Sequence, residues 1–225
     1  ILYQLRVCCI LMKPIIVFDL GGVLIDWNPR YLYRKFFTDE PHMEFFLREV
    51  VSNRWNLQMD AGKSQQESVE DLSRACPQYR GAIIAWMTRW DEMLGDAIET
   101  MPEVLQYFSR TGFELHAITN WSAETFHFAE KKYDFLQLFR TITVSGREKV
   151  AKPNPVIFEI FLERNQIKAS DCIFIDDASR NILSAYSLGF ETVHFTDPSA
   201  CIRELAEKTG DQGLMQVIEE EVNVP

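Results

Sequence analysis

The sequence predicts an α/β fold, a parallel β-sheet with helices on both faces and an inserted helical unit near its start. Three observations predict it. Short apolar runs rich in β-branched residues recur along the chain, and each stops at a polar residue; such runs are strands buried on both faces. Helical patterns separate the runs, and strand–helix alternation folds most economically as a parallel sheet. The interval from Trp27 to about Thr100 breaks the alternation, reads as helices and contains no convincing strand.

The first strand is expected over residues 14–18, ending at Asp19 and the turn residues Gly21-Gly22. In the insertion, Pro41 opens a helix carrying Met43, Phe46, Leu47 and Val50. Ser64-x-x-Glu67 is a capping box opening another, with Val69 and Leu72 on one face. Pro77 begins a third, with Ile83, Ile84, Met87 and Trp90. Trp55, Trp86 and Trp90 are read as core or hinge packing. A helix over 102–110 then carries Val104, Leu105 and Phe108 and stops at Gly112. The strand over 114–119 ends at Asn120, a helix follows over 122–132, and 141–145 is a weaker strand. The helix over 155–165 carries Ile157, Phe158, Phe161 and Leu162. The strand over 171–175 ends at Asp176-Asp177, and the helix over 179–188 stops at Gly189. The strand over 192–195 ends at Thr196-Asp197-Pro198, and the last helix, 199–208, ends near Gly210.

Composition bounds the function. At 225 residues and 47% hydrophobic, the chain holds enough apolar material for a sizeable core, which excludes disordered and disulfide-scaffold classes. A net charge of −10 repels a phosphate backbone, so no nucleic-acid partner is expected. No apolar run reaches the roughly 18 residues of a membrane helix, so no membrane partner is expected. The five cysteines, Cys8, Cys9, Cys76, Cys172 and Cys201, are odd in number and form no C-x-x-C. They suit reduced thiols in a cytoplasm and give no zinc signature. Residues 1–12 are expected to be an extra N-terminal segment, with Met12 the natural start and a short extra strand the alternative.

Ligands of open parallel sheets bind at the carboxyl ends of strands. Asp19, Thr119-Asn120 and Asp176-Asp177 are therefore expected to converge. One strand-end Asp is most often a cap or turn residue; three such ends point to a site. Three carboxylates together do not easily stay ionised without a cation. Oxygen-only ligands suit a hard ion such as magnesium, which bridges carboxylate to phosphate. Lys152, before Pro153-Asn154-Pro155, either adds positive charge beside an anionic substrate or is a solvated surface lysine. Thr119 and Asn120 carry a hydroxyl and an amide suited to phosphate oxygens. Such a set describes phosphoryl transfer through an aspartyl-phosphate.

Four ordered motifs resemble the haloacid dehalogenase-like hydrolase superfamily: Phe18-Asp19-Leu20-Gly21-Gly22-Val23-Leu24-Ile25-Asp26, the strand ending in Thr119-Asn120, Lys152-Pro153 with its helix, and Phe174-Ile175-Asp176-Asp177 followed by Asn181, Ala185 and Leu188-Gly189. The likeness spans about residues 14–208 and is closest to the sugar-phosphate phosphatase branch, including glucose-1-phosphate phosphatases, whose first motif also reads Asp-Leu-Gly. It implies a Rossmann-like catalytic core over 13–26 and 100–210 and a helical cap domain over 27–99, as in the family's first subclass. It implies a Mg2+-dependent phosphatase that hydrolyses a small phosphorylated metabolite, most simply a sugar phosphate. Asp19 would be the nucleophile, Thr119 and Asn120 would hold the phosphate, and Lys152 would steady both. Asp19, the Gly21 carbonyl and Asp177 would bind magnesium, with Asp176 behind them. Asp177 and Asn181 would share one face of the starting helix.

One position departs from the family. Most of its phosphatases carry a second Asp two residues after the nucleophile as general acid and base, and here Gly21 stands there. General acid catalysis is worth ~10² to 10⁴ in rate. Asp26, the residues near Trp27-Asn28-Pro29-Arg30, or a metal-bound water are the substitutes the sequence offers. Two other readings stay open. A 2-haloacid dehalogenase needs neither that acid nor magnesium, but its fourth motif usually has Ser and Asn at Asp176-Asp177. A non-catalytic binding protein on the same scaffold would not need to keep Asp19, Lys152 and Asp177.

Overall fold

The computed structural model describes residues 13–217; the expected N-terminal segment lies outside the described residues. The strands in chain order are β1 (Ile15–Phe18), β2 (Ile25–Trp27), β3 (Leu94–Ala97), β4 (Leu115–Thr119), β5 (Thr141–Val144), β6 (Cys172–Asp176) and β7 (Glu191–His194). Five of them form one sheet in the order β5-β4-β1-β6-β7, parallel throughout. These are the five strands expected from sequence, displaced by a residue or two at their ends. Helices cover both faces. On one, Val17, Ile118 and Phe174 pack with Ile157, Phe158 and Phe161 of the helix Pro155–Asn165. On the other, Ile16, Phe18, Ala117 and Ile175 join Val104, Leu105 and Phe108 of the helix Met101–Arg110. Neighbours in β1 thus bury opposite faces, as a pleated strand requires. Each fully buried phenylalanine contributes about 1.5–3 kcal/mol.

Local chemistry sets the helix starts. Asn154 Oδ1 accepts from the Val156 N–H at 3.0 Å, and Asp197 Oδ1 from the Ala200 N–H at 2.8 Å, each with proline in the first turn. The helix expected from Ser122 starts only at Phe126.

The insertion is helical as expected, with three differences. The segment at Pro77 opens as a 3₁₀ turn, Pro77–Tyr79, before the helix Arg80–Thr88. A helix over Asn53–Asp60, capped by Ser52, was not expected. The interval is also not free of strands: β3 pairs antiparallel with β2, Trp27 opposite Leu94 and Ile25 opposite Ala97. Leu94-Gly95-Asp96-Ala97 has little β-propensity of its own, and its order comes from that pairing. The chain therefore enters and leaves the insertion through one two-stranded ribbon.

Trp86 is fully buried and meets Trp27 and Trp55 edge-on, with centroids 6.2 and 5.2 Å away. Trp90 instead reaches across to Trp121, just after β4, at 5.3 Å. Insertion and sheet share one continuous apolar cluster. No helix among the described residues is long and apolar enough to cross a membrane.

Candidate active site

Parallel strands bring their carboxyl ends to one edge, and register decides which residues meet there. Phe18 lies opposite both Ala117 and Ile175. The next residue, Asp19, donates its N–H to the Ile175 carbonyl at 2.8 Å. Asp19 thus sits between the ends of β4 and β6, where Thr119 and Asp176 lie. One oxygen from each of Asp19, Asp176 and Asp177 fits within 4.8 Å of the others. The expected convergence is present.

Lys152 is not a surface lysine: its side chain has no solvent exposure. Its Nζ lies 2.7 Å from Asp176 Oδ2, 2.9 Å from Asp19 Oδ2 and 2.7 Å from the Ile118 carbonyl. The Asn120 side chain fixes the main chain of Lys152. Its Oδ1 accepts from the Lys152 N–H at 2.8 Å, and its Nδ2 donates to the Lys152 carbonyl at 2.9 Å. Both ends of that amide are therefore engaged in positioning the lysine. The Thr119 hydroxyl at the end of β4 is buried without a hydrogen-bond partner among the described residues, an open group for an incoming oxygen.

The two acids after β6 have different environments. Asp176 is fully buried and bonded by Lys152, by the Ala178 N–H at 2.8 Å and by Asn181 Nδ2 at 2.9 and 3.1 Å. Asp177 is exposed and forms no ion pair among the described residues. Asn181 therefore serves Asp176, not Asp177, and the helix begins at Ser179, after both acids. The helical-face argument for Asp177 and Asn181 fails for that reason.

Gly22 makes this arrangement possible. Its φ is +80°, and a Cβ built on it would lie 2.6 Å from Asp177 Oδ2. Gly22→Ala is expected to destabilise the protein by more than about 1 kcal/mol, because strain and a clash act together. The midpoint of urea unfolding measures it. At Gly21, by contrast, a Cβ would meet nothing within 4 Å.

Burial pulls the Lys152 ammonium down, but Asp176 and Asp19 beside it outweigh this and hold its pKa above the usual value. Burial pushes the Asp19 carboxyl up to about 8 against the pull of Lys152, with Asp176 and Asp177 adding to the rise. Burial, then Asp176, also raises Asp177. One ammonium balances one carboxylate, and Asp176 is its closest partner. Three carboxylates thus meet one ammonium, shared by Asp176 and Asp19, and Asp177 has no ion pair among the described residues; these oxygen-only donors are a set that fits a hard divalent cation.

A cavity of about 300 Å³ opens over this edge. The sheet side contributes Asp19, Gly21 and Asp177; the insertion contributes Asn56, Asp60 and Trp90. The sequence singled out neither Asn56 nor Asp60, since lone polar residues on a helix carry no spacing signal. Of the substitutes it did offer, Trp27 lines this cavity but carries no acid, and Asp26 and Arg30 lie elsewhere. Asp26 accepts from the Tyr31 hydroxyl beside Gly95, in a different depression. Arg30 is held in two hydrogen bonds by Glu44, at 2.5 and 2.6 Å.

The fold and these motifs define a hydrolase class. The chain belongs to the haloacid dehalogenase-like hydrolase family, whose model matches residues 16–195. Sesquiterpene phosphatase astK of Aspergillus oryzae is 26% identical over 86% of this chain and 95% of its own. Phosphoglycolate phosphatase of Vibrio parahaemolyticus is 23% identical over 78% and 80%. The chain spans only 19% of mouse acyl-CoA dehydrogenase family member 10 and 37% of drimenol cyclase drtB of Aspergillus calidoustus. Among solved structures, the HAD family enzyme BT-2542 of Bacteroides thetaiotaomicron, in complex with magnesium and inorganic phosphate, has a TM-score of 0.62 at 21% identity, covering 83% of this chain and 96% of that one. L-2-haloacid dehalogenase of Xanthobacter autotrophicus has a TM-score of 0.63 at 15% identity over 91% and 86%. Both likenesses are of fold.

Proposed function

We propose that the protein is a magnesium-dependent phosphomonoesterase that transfers the phosphoryl group of a small metabolite to Asp19 and then to water. The observation that carries this reading is the acidic cluster at the sheet edge. Lys152 pairs with both Asp176 and Asp19, one ammonium among three carboxylates, and Asp19 and Asp177 line the cavity. Asp19, the Gly21 carbonyl and Asp177 are the residues that would hold magnesium. The ion would supply charge neutralisation for an approaching phosphate dianion.

The chain's own groups do the rest. Lys152 aims the Asp19 carboxylate and offsets charge on the phosphate. Asn120 holds Lys152 in place, and the Thr119 hydroxyl donates to a phosphate oxygen. The insertion over residues 27–99 acts as a cap that excludes water, hinged at the β2–β3 ribbon. Trp27, Trp90 and Trp121 line the cavity beside Asn53 and Asn56. Flat aromatic faces next to amides suit a hydroxylated ring, which supports a sugar phosphate as substrate. The described cysteines, Cys76, Cys172 and Cys201, are free thiols, which supports a reducing, cytoplasmic setting.

The test is a panel of sugar phosphates, phosphoglycolate and prenyl monophosphates, assayed for released phosphate with and without magnesium. Sugar phosphates are expected to turn over fastest, and EDTA to reduce all turnover to background. Metal-independent release of halide from 2-chloropropionate, with no phosphate release from the panel, would overturn the reading in favour of a dehalogenase.

A further inference from the structure

We infer that Asp60 of the insertion is the general acid and base of this site, in place of the acid missing at position 21. The inference rests on the phosphatase reading above and deepens it. An in-line displacement puts the leaving oxygen on the far side of phosphorus from the attacking oxygen. With Asp19 on the sheet edge, that side faces the insertion. Among the described residues, Asp60 is the one carboxylate that the insertion contributes to the lining of this cavity.

Three contacts fix Asp60 there. It is the last residue of the helix Asn53–Asp60, and the turn after it docks on the sheet side. Gly62, at φ +95°, lies so close to Lys149 that a Cβ would come within 2.9 Å of the lysine Cγ. Three residues on, the Gln65 N–H donates to Glu124 Oε1 at 3.0 Å. The Ser122 main chain, in the loop after β4, lies close enough to the Asp60 carboxylate to act on its pKa.

The carboxyl has the surroundings its role needs. Burial pushes its pKa up to about 7, with the Ser122 main chain working the other way, so a large fraction is protonated near neutrality. Asn56 Nδ2 donates to Asp60 Oδ2 at 3.0 Å. That bond, with the Ser122 main chain close by, stabilises the carboxylate left after the proton has gone. The steps balance. Asp19 Oδ attacks phosphorus and the bond to the ester oxygen breaks. Asp60 gives its proton to that oxygen, and the alcohol leaves. Water then attacks the aspartyl-phosphate, Asp60 takes the water's proton, and inorganic phosphate and both side chains are regenerated.

Asp60→Asn is nearly isosteric with the protonated acid, and the magnesium-loaded variant is the test. With alkyl phosphates such as glycerol 3-phosphate, steady-state turnover is expected to fall by ~10² to 10⁴. With 4-nitrophenyl phosphate, whose leaving group needs no proton, one enzyme equivalent of phenolate is expected in a rapid burst. Slow turnover follows, because loss of the base strands the aspartyl-phosphate. Adding Gly21→Asp to this variant is expected to restore alkyl turnover, since the space at position 21 is open. Wild-type turnover of substituted phenyl phosphates, which needs no variant, should depend only weakly on leaving-group pKa. Unchanged alkyl turnover in a folded Asp60→Asn, loss of the phenolate burst together with alkyl turnover, or a steep wild-type dependence would each overturn the assignment. Failure of the wild type to hydrolyse any of these esters would instead remove the phosphatase reading beneath it.

Discussion

Asp19→Asn is expected to abolish turnover, by on the order of 10⁴-fold or more, while the fold is retained. The amide is nearly the same shape but cannot attack phosphorus. It also relieves the site of one carboxylate that burial and two neighbouring acids disfavour, while Lys152 keeps Asp176 as its closest partner. The thermal midpoint should therefore hold or rise as activity disappears. Mass spectrometry of acid-quenched enzyme should show a phosphoryl adduct in the wild type and none in the variant. Substantial residual activity in Asp19→Asn would end the covalent mechanism.

The second large effect separates the two acids after β6. Asp177→Asn removes a cavity-facing carboxylate with no ion pair among the described residues, so stability should change little. Magnesium affinity should fall at least 10- to 100-fold, the loss that removing even a ligand's hydrogen-bond partner brings. Activity should recover in part at high metal. Asp176→Asn removes one of the two carboxylates that hold the buried Lys152. The cost is expected to stay below the loss of about 3–5 kcal/mol for a pair that leaves its charge uncompensated, because Asp19 remains 2.9 Å from Nζ. Even a part of that is a sizeable share of the 5–15 kcal/mol typical of a domain. The two variants should thus rank oppositely in calorimetric metal titration and in chemical unfolding. Equal losses of metal affinity would contradict the division of labour between them.

The parts of the molecule legible in the sequence were those with a local signature. β1, β4 and β6 are apolar runs with polar ends, and a parallel sheet turns those ends into one edge. Asp19, Thr119 and Asp176 could therefore be placed together without seeing them. Lys152 was legible as a charge but not as a buried one, because its burial depends on Asp176, Asp19 and the Ile118 carbonyl, all distant in sequence. Asn120 was legible as a polar strand end, but its engagement with the Lys152 main chain follows from a loop over thirty residues away. β3 was illegible because Gly95 and Asp96 disfavour a strand and only the pairing with β2 orders them. Asp60 was illegible because nothing local distinguishes an acid at a helix end that docks on another unit from one that meets water.

The β2–β3 ribbon has an evolutionary consequence. Ile25 and Ala97 are partners across it, so the chain leaves the sheet and returns at nearly the same point. Whatever lies beyond is topologically a single long loop, and closing a longer loop costs only about 0.6 kcal/mol per doubling of length. Whole helices can be gained, lost or exchanged there without shifting the register of β1 against β4 and β6, which holds Asp19. Such changes are constrained by the apolar seam that the insertion shares with the sheet. The shape of what closes over the edge can therefore drift in descendants of this chain as long as that seam and an acid at the place of Asp60 are kept.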